Sequence, residues 1–456
     1  MNSKRRQYSP GKIIAVSVIA FIVVIGGVVT FWRLSLAAHN RARLKAIAAR
    51  GEPTNSWDLN LSYQAVPDAE NAAVAWLNGI GRLTGGASMS STWNKFKLPP
   101  RGAPVSADQL EFARGIVGSN ETALTTFREA AALSKSRYPV DLAGGINALL
   151  PHLSPMKQVA RLLQAEALVA VDERDSRRAI ETIKTILAEG RSLASEPLLI
   201  SQLVSYAVDT IAFNTAEFVL NRLRLNDGEL QELSAAFAKA DDTNRLICAL
   251  IGERAIFIGA MQDPQALLAS GAGPGSSSPR ADAFAELTWS LVRLTGFFER
   301  DFGFGLDAVT TNIALARLGD PDRFISHTNW DVVESRAREN RYIMSSLLLP
   351  GFAKAIARDT DARARARVAQ VVMAIERHRL AHNGNLPEST VELAPNLVLK
   401  LPADPFDGQP LRFKRLESGY IVYSAGPDAE DDGGKERPAK LKEKERWDTT
   451  FIVERK

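Results

Sequence analysis

Leu401-Pro402-Ala403-Asp404-Pro405-Phe406-Asp407-Gly408-Gln409-Pro410, followed by Tyr423-Ser424-Ala425-Gly426-Pro427-Asp428, is the stretch on which the reading of this chain turns. Pro and Gly punctuate it at short intervals, so it reads as turn-bounded strands closed by an acidic, glycine-containing loop. Upstream, Val368, Val371, Val372 and Ile375 place an apolar stripe on one face of a helix rich in Arg. Asn383-Gly384 tolerates a left-handed backbone, and the helix is expected to end there, close to His382. Leu411 to Lys414 and Tyr420 to Ser424 alternate as strands joined by a turn at Ser418-Gly419, and Phe451 to Val453 offers a third. A helix on three short antiparallel strands makes a compact α+β unit.

These residues together resemble the C-terminal domain of type II secretion pseudopilins, which carry an LPxDPWGxPY-like stretch and then a YSxGxD-like stretch. The resemblance covers residues 351–456, with Leu386-Pro387 standing where the family has a Tyr-Pro-like pair. It implies calcium in the loop after the second motif, held by the Asp that corresponds to Asp428. A second acidic ligand falls on Asp432 or Asp448, and the alignment leaves both open. The composition suits a hard cation, since Asp428, Glu430, Asp431 and Asp432 stand beside Gly433 and Gly434. One departure is a basic insertion of Lys435, Arg437, Lys440, Lys442, Lys444 and Arg446, which could repel a cation or pair with the acidic loop. A solvated, metal-free loop is the competing reading.

The N-terminus points to a membrane. Ile13 to Trp32 carries no charge, and twenty helical residues span about 30 Å, the thickness of a hydrocarbon core. Retention as an anchor is expected over cleavage near Ser35-Leu36-Ala37, because the apolar run exceeds that of a signal peptide. Lys4, Arg5, Arg6 and Lys12 favour a cytoplasmic N-terminus, although Arg33, Arg41, Arg43, Lys45 and Arg50 blunt that asymmetry. The resemblance tips the bulk of the chain to the outside of an inner, cytoplasmic membrane. A pilin-type leader does not fit: Gly11 is followed by Lys12, and Val16 stands where the family has Glu.

Between the ends the chain reads as helices. The expected organisation is a cytoplasmic segment 1–12, a transmembrane anchor 13–34, a juxtamembrane helix and irregular segment 35–105, a helical domain 106–350 and the pseudopilin-like unit 351–456. Apolar residues from Val159 to Ala170 and from Ala179 to Gly190 recur at helical spacing around a short break at 172–175, predicting a hairpin. A third helix is expected over Glu196 to Arg222 with Pro197 in its first turn, a fourth after an Asn226 cap, and a fifth over Asn244 to Met261. An irregular bundle and a tetratricopeptide-like array both fit this spacing. Gly271 to Pro279 reads as a loop. Phe297, Phe298, Phe302 and Phe304 read as core packing, with a membrane or partner contact as the alternative. The fold class is therefore mainly α, with a small α+β unit at the C-terminus.

Few constellations suggest catalysis. The net charge of +4 over 456 residues, with 52 acidic residues, gives no case for nucleic-acid binding, and the single Cys248 excludes an intramolecular disulfide. His378 and His382 have the spacing of a two-histidine metal site, but a structural role is expected. Asp241-Asp242 and Glu253-Arg254 read as solvated faces or intrahelical ion pairs. There is no GxSxG motif and no phosphate-binding glycine loop. The expectation is a non-enzymatic scaffold or accessory anchored in the envelope, with secretion components as partners. A membrane-anchored hydrolase with its site in the helical domain, or a helical-repeat adaptor, are the alternatives. Removal of residues 1–50 is expected to leave a soluble helical body, since all membrane-length hydrophobicity precedes Leu34.

Overall fold

The computed structural model describes residues 10–84, 96–262, 296–326, 330–394, 401–438 and 446–455. Helix accounts for 66% of the chain and strand for 6%, so the protein is mainly α with one small sheet. The loop expected at Gly271 to Pro279 lies outside the described residues.

Helix α1 (Pro10–Ala48) runs unbroken for 39 residues, roughly 58 Å at the α-helical rise. Its first half is apolar and exposed, from Ile14 through Phe31. Its last turns belong to the body: Ile47 is buried with Phe257, Ile258, Met261, Leu306 and Met344. The junction is also polar. Arg33 pairs with Glu299 at 2.8 Å, the Asn40 amide donates to the Glu299 carbonyl, and Arg43 meets both carboxylate oxygens of Asp307. The juxtamembrane stretch thus extends the apolar helix.

Helices α2 (Ser56–Ser62), α3 (Ala72–Gly81), α4 (Ala107–Ser119) and α5 (Glu121–Ala132) lead into the hairpin of α6 (Leu153–Asp172) and α7 (Ser176–Ser192). The hairpin forms as the spacing predicts, with Asp175 capping α7 through the Arg178 N–H. Helix α8 (Leu199–Leu220) begins later than expected. Pro197 stays in the extended approach to α8, where the Leu198 N–H turns back to the Glu196 carbonyl and the Glu253 carboxylate accepts from the Leu199 N–H. Helix α9 (Asp227–Ala240) opens on a complete capping box of Asn226 and Glu229, as its sequence signals. Helix α10 (Asn244–Gln262) and helix α11 (Phe297–Ala316) follow. The aromatic cluster at the start of α11 packs between helices, with Phe302 6.0 Å from Phe257 and Phe304 5.1 Å from Tyr342.

Three short helices, α12 (Asp322–Ile325), α13 (Trp330–Glu339) and α14 (Ile343–Leu348), precede the 32-residue α15 (Pro350–Ala381). Asn383 and Gly384 follow with φ of 54° and 89°, the left-handed backbone expected there. Strands β1 (Arg412–Leu416), β2 (Gly419–Ser424) and β3 (Thr449–Glu454) form an antiparallel sheet in that order. Leu416 pairs with Gly419, so the hairpin turn is Glu417-Ser418 and Gly419 already belongs to β2.

One core runs across these parts. Val368, Val371, Val372 and Ile375 of α15, Tyr420 and Val422 of β2, and Phe451 and Val453 of β3 join the cluster that also holds residues of α3 to α9. Helix α15 packs on α8 and α9 as well as on the sheet. A solenoid repeat touches only its neighbours, so this packing is that of an irregular bundle. The free edge of β3 lies against α8: Asn221 accepts from the Glu454 N–H and donates to the Ile452 carbonyl, while Glu217 accepts from the Ile452 N–H. A helix thereby covers an edge that would otherwise be open to pairing.

The charges expected on solvated faces are instead between elements. Asp241 meets Arg363 at 2.9 Å and Arg367 at 2.7 Å, and both arginines also reach Asp320. Arg254 is fully buried and pairs with Glu52. Helical periodicity marks a face as polar without saying whether another element covers it, and here α15 and the turn after α1 do.

Candidate functional site

The two C-terminal motifs meet at Asp404. Its side chain is fully buried and accepts from the Phe406 N–H, the Ser424 hydroxyl and the Ala425 N–H, and it pairs with Arg412 at 2.6 Å. The first motif is in this way bound to the end of β2, where the second begins. Asp407 joins the same guanidinium. A carboxylate buried with this many donors orders both loops at once.

The three carboxylates expected to take calcium lie on the next loop. Asp448 is buried, and its two oxygens accept from the N–H groups of Asp432, Gly434 and Lys435. Asp428 is exposed and accepts from the Glu430 N–H in its own turn. Asp432 is half-buried, with one oxygen that has no hydrogen-bond partner. Among the described residues no group of three His, Cys, Asp or Glu side chains stands together to hold a metal ion. Asp448 is thus committed to backbone N–H groups, and the Asp428 carboxylate to the Glu430 N–H in its own turn. Arg446 pairs with Glu430, so the basic insertion does reach the acidic loop. His378 and His382 stack face to face at 3.9 Å, and burial followed by the neighbouring His382 holds the His378 pKa below its usual value.

A larger opening lies in the helical body. A cleft of about 660 Å³ is bounded by the segment 64–67, the segment 133–136, the end of α7 and the middle of α10. Its volume falls within the range of about 300–1,000 Å³ usual for ligand sites. Its walls are mainly apolar, with Leu133, Ala188, Ala194 and Ile251 among them. Arg191 enters from the last turn of α7. Its guanidinium is half-buried and makes no hydrogen bond or ion pair among the described residues. Behind it, Asp209 is occupied by Arg245 at 2.6 Å, and Arg245 also donates to the Ser205 hydroxyl. Burial, then the like charge of Arg245, lowers the Arg191 pKa from its usual value.

The groups behind the cleft are buried and polar. The Tyr138 hydroxyl meets the Ser192 hydroxyl at 2.8 Å, and the Tyr138 ring stacks on His152 at 4.3 Å. His152 in turn meets Glu196 at 3.0 Å. Glu189 is fully buried with neither carboxylate oxygen hydrogen-bonded, and burial followed by Asp209 pushes its pKa well above the usual range. Cys248 lines the cleft, but burial, then Asp242, pushes its thiol up to about 11, and its sulfur faces the Ser195 carbonyl. A thiol held protonated is a poor nucleophile. Ser192 is hydrogen-bonded to the Tyr138 hydroxyl and Ser195 to the Ser136 carbonyl, and among the described residues neither hydroxyl is hydrogen-bonded to a His or a carboxylate. The arrangement suits binding better than acyl transfer.

No motif in the sequence announces this cleft. The legible clue is Glu189, which falls on the apolar face of α7 three residues after Ile186, where an acid without a partner is anomalous. Comparison with protein families, curated proteins and solved structures found no match to this chain.

Proposed function

We propose that this chain is a membrane-anchored envelope protein, held by α1 in the inner membrane with its body outside, and that it serves as a non-enzymatic scaffold or accessory near a secretion or surface-assembly apparatus. The observation that carries this reading is the unbroken α1. Its exposed apolar half is long enough to cross a membrane, while its other half is built into the core at Ile47. Cleavage after Ala37 would cut through the helix and strip the Arg33 contact from the body, so retention is the reading the packing favours. The second helix long and apolar enough to qualify, α8, is the buried centre of the bundle. The secretion neighbourhood rests on the resemblance at 401–428 alone.

Purification of the full-length protein from detergent-solubilised membranes tests both halves of the proposal. Recovery in the membrane fraction, protease digestion of the body in spheroplasts and co-purification of secretion components are the expected results. A body digested only after lysis overturns the orientation, and absence of such components overturns the neighbourhood. Calcium in the acidic loop stands as an implication of the resemblance, without support from the placement of Asp428, Asp432 and Asp448. Melting of the full-length protein in chelator and in millimolar calcium tests it, and an unchanged transition removes it.

A further inference from the structure

We propose that the cleft beside α7 binds the C-terminal end of an extended apolar peptide, with Arg191 receiving the terminal carboxylate. Three observations converge on that chemistry. The first is the unpaired guanidinium. A cation in the last turn of a helix is favourable for the helix dipole, but that leaves the planar donors of Arg191 free to face a ligand. The nearest acid, Asp209, gives one oxygen to Arg245 and makes no hydrogen bond to Arg191, and Lys135 on the opposite wall is positive too, although it is paired with Glu70 at 2.7 Å. The Arg191 guanidinium thus has no carboxylate in hydrogen-bonding contact among the described residues, a place that a ligand carboxylate would take in bidentate geometry.

The second observation is backbone. Gln64, Ala65 and Val66 lie outside helix and strand on the rim, and their N–H and C=O groups make no hydrogen bond among the described residues. The neighbouring segment already shows how strand-like pairing occurs here, since Lys135 bridges to Asn71 in parallel sense and its carbonyl accepts from the Ala72 N–H. A peptide main chain can pair with the free backbone groups of 64–66 in the same manner. The third observation is the lining. Leu133, Ala188, Ala194 and Ile251 offer small apolar surfaces without a buried charge, suited to aliphatic side chains.

A fatty acid shares the carboxylate and the apolar body but cannot use the free backbone of 64–66, so the peptide is the occupant the geometry favours. This inference does not rest on the anchoring proposal, and either can fail alone.

The test uses the detergent-solubilised full-length protein and two synthetic pools of pentapeptides randomised over Ala, Val, Leu and Ile. One pool ends in a free carboxylate and the other in an amide. Selective retention of the free-carboxylate pool is expected, with about tenfold or greater preference over the amide, the size of one charge-assisted hydrogen-bonded contact. R191Q should abolish that preference and R191K should restore part of it, with circular dichroism unchanged in both. Equal retention of the two pools, or of neither, overturns the proposal without any variant. Tight binding of dodecanoate with no peptide retained overturns it in favour of a free amphiphile.

Discussion

Asp404 and Asp428 show how differently two aspartates of one motif set can act. Asp404 has no solvent exposure and four donors, including the Arg412 guanidinium; Asp428 is exposed and engages only the N–H two residues on. Removing a buried, hydrogen-bonded carboxylate leaves the Phe406 and Ala425 N–H groups without their acceptor and takes one of the carboxylates from Arg412. Asp404→Ala is expected to cost about 3–5 kcal/mol in urea unfolding. Asp428→Ala is expected to stay within about 0.5 kcal/mol. Similar losses for the two variants would contradict the role assigned to Asp404. The sequence singles out the stretch containing both, but assigns the chemistry to the acidic loop, because clustered carboxylates are visible in a sequence and burial is not.

At the scale of elements, Glu52 joins the turn after α1 to α10 through Arg254 and to the end of α11 through Arg317. Burial alone would raise its pKa, but hydrogen bonds from Arg317 and Arg254 outweigh burial and hold the carboxyl down at about 2, against an ordinary 4.5. The folded state thus binds this proton less readily than the unfolded chain does. Its contribution is present above about 4.5 and is lost as pH falls toward about 2. Equilibrium unfolding of the wild type should weaken over that window, and Glu52→Gln should be less stable at pH 7 with a shallower acid decline. Parallel pH profiles for the two proteins would show that the pair does not link α1 to the body.

The second element-scale expectation concerns the edge of β3. Asn221 supplies both an acceptor to the Glu454 N–H and a donor to the Ile452 carbonyl. Asn221→Ala leaves both half-buried backbone groups without a protein partner and should cost about 1–3 kcal/mol. Hydrogen exchange at Glu454 should rise selectively in this variant; unchanged protection there would mean that water replaces the side chain without loss.

For the whole molecule, the place at which the chain is cut decides what survives. Removing residues 1–50 takes Ile47 and Leu44 away from Phe257, Ile258, Met261 and Leu306, exposing an apolar patch. The soluble body expected from hydropathy alone therefore requires an earlier cut. Removing residues 1–32 keeps Arg33, Asn40, Arg43 and Ile47 in place, and that protein is expected to be monomeric in gel filtration, with a cooperative melt. The shorter chain beginning at residue 51 is expected to aggregate or to melt several degrees lower. The same reasoning applies to the other end. Residues 351–456 share their core with α8 and α9, so that fragment alone is expected to show little of the far-UV signal of α15 and no cooperative unfolding.

By itself the sequence determined the local and the linear: an apolar helix long enough for a membrane, the α6–α7 hairpin, the Asn226 cap, the left-handed stop at Asn383-Gly384 and three alternating strands. Those features depend on periodicity, turn chemistry and capping, all of which act over a few residues. Only the tertiary structure decided that α1 is wedged into the body, that α15 is clamped by Asp241 and Asp320, that Asp404 joins the two motifs, and that Arg191 is left unpaired over a cleft. Each of these depends on which surfaces exclude water from one another across long sequence separations. Burial of a charge, and whether a partner meets it there, is a property of that packing and leaves no period in the chain.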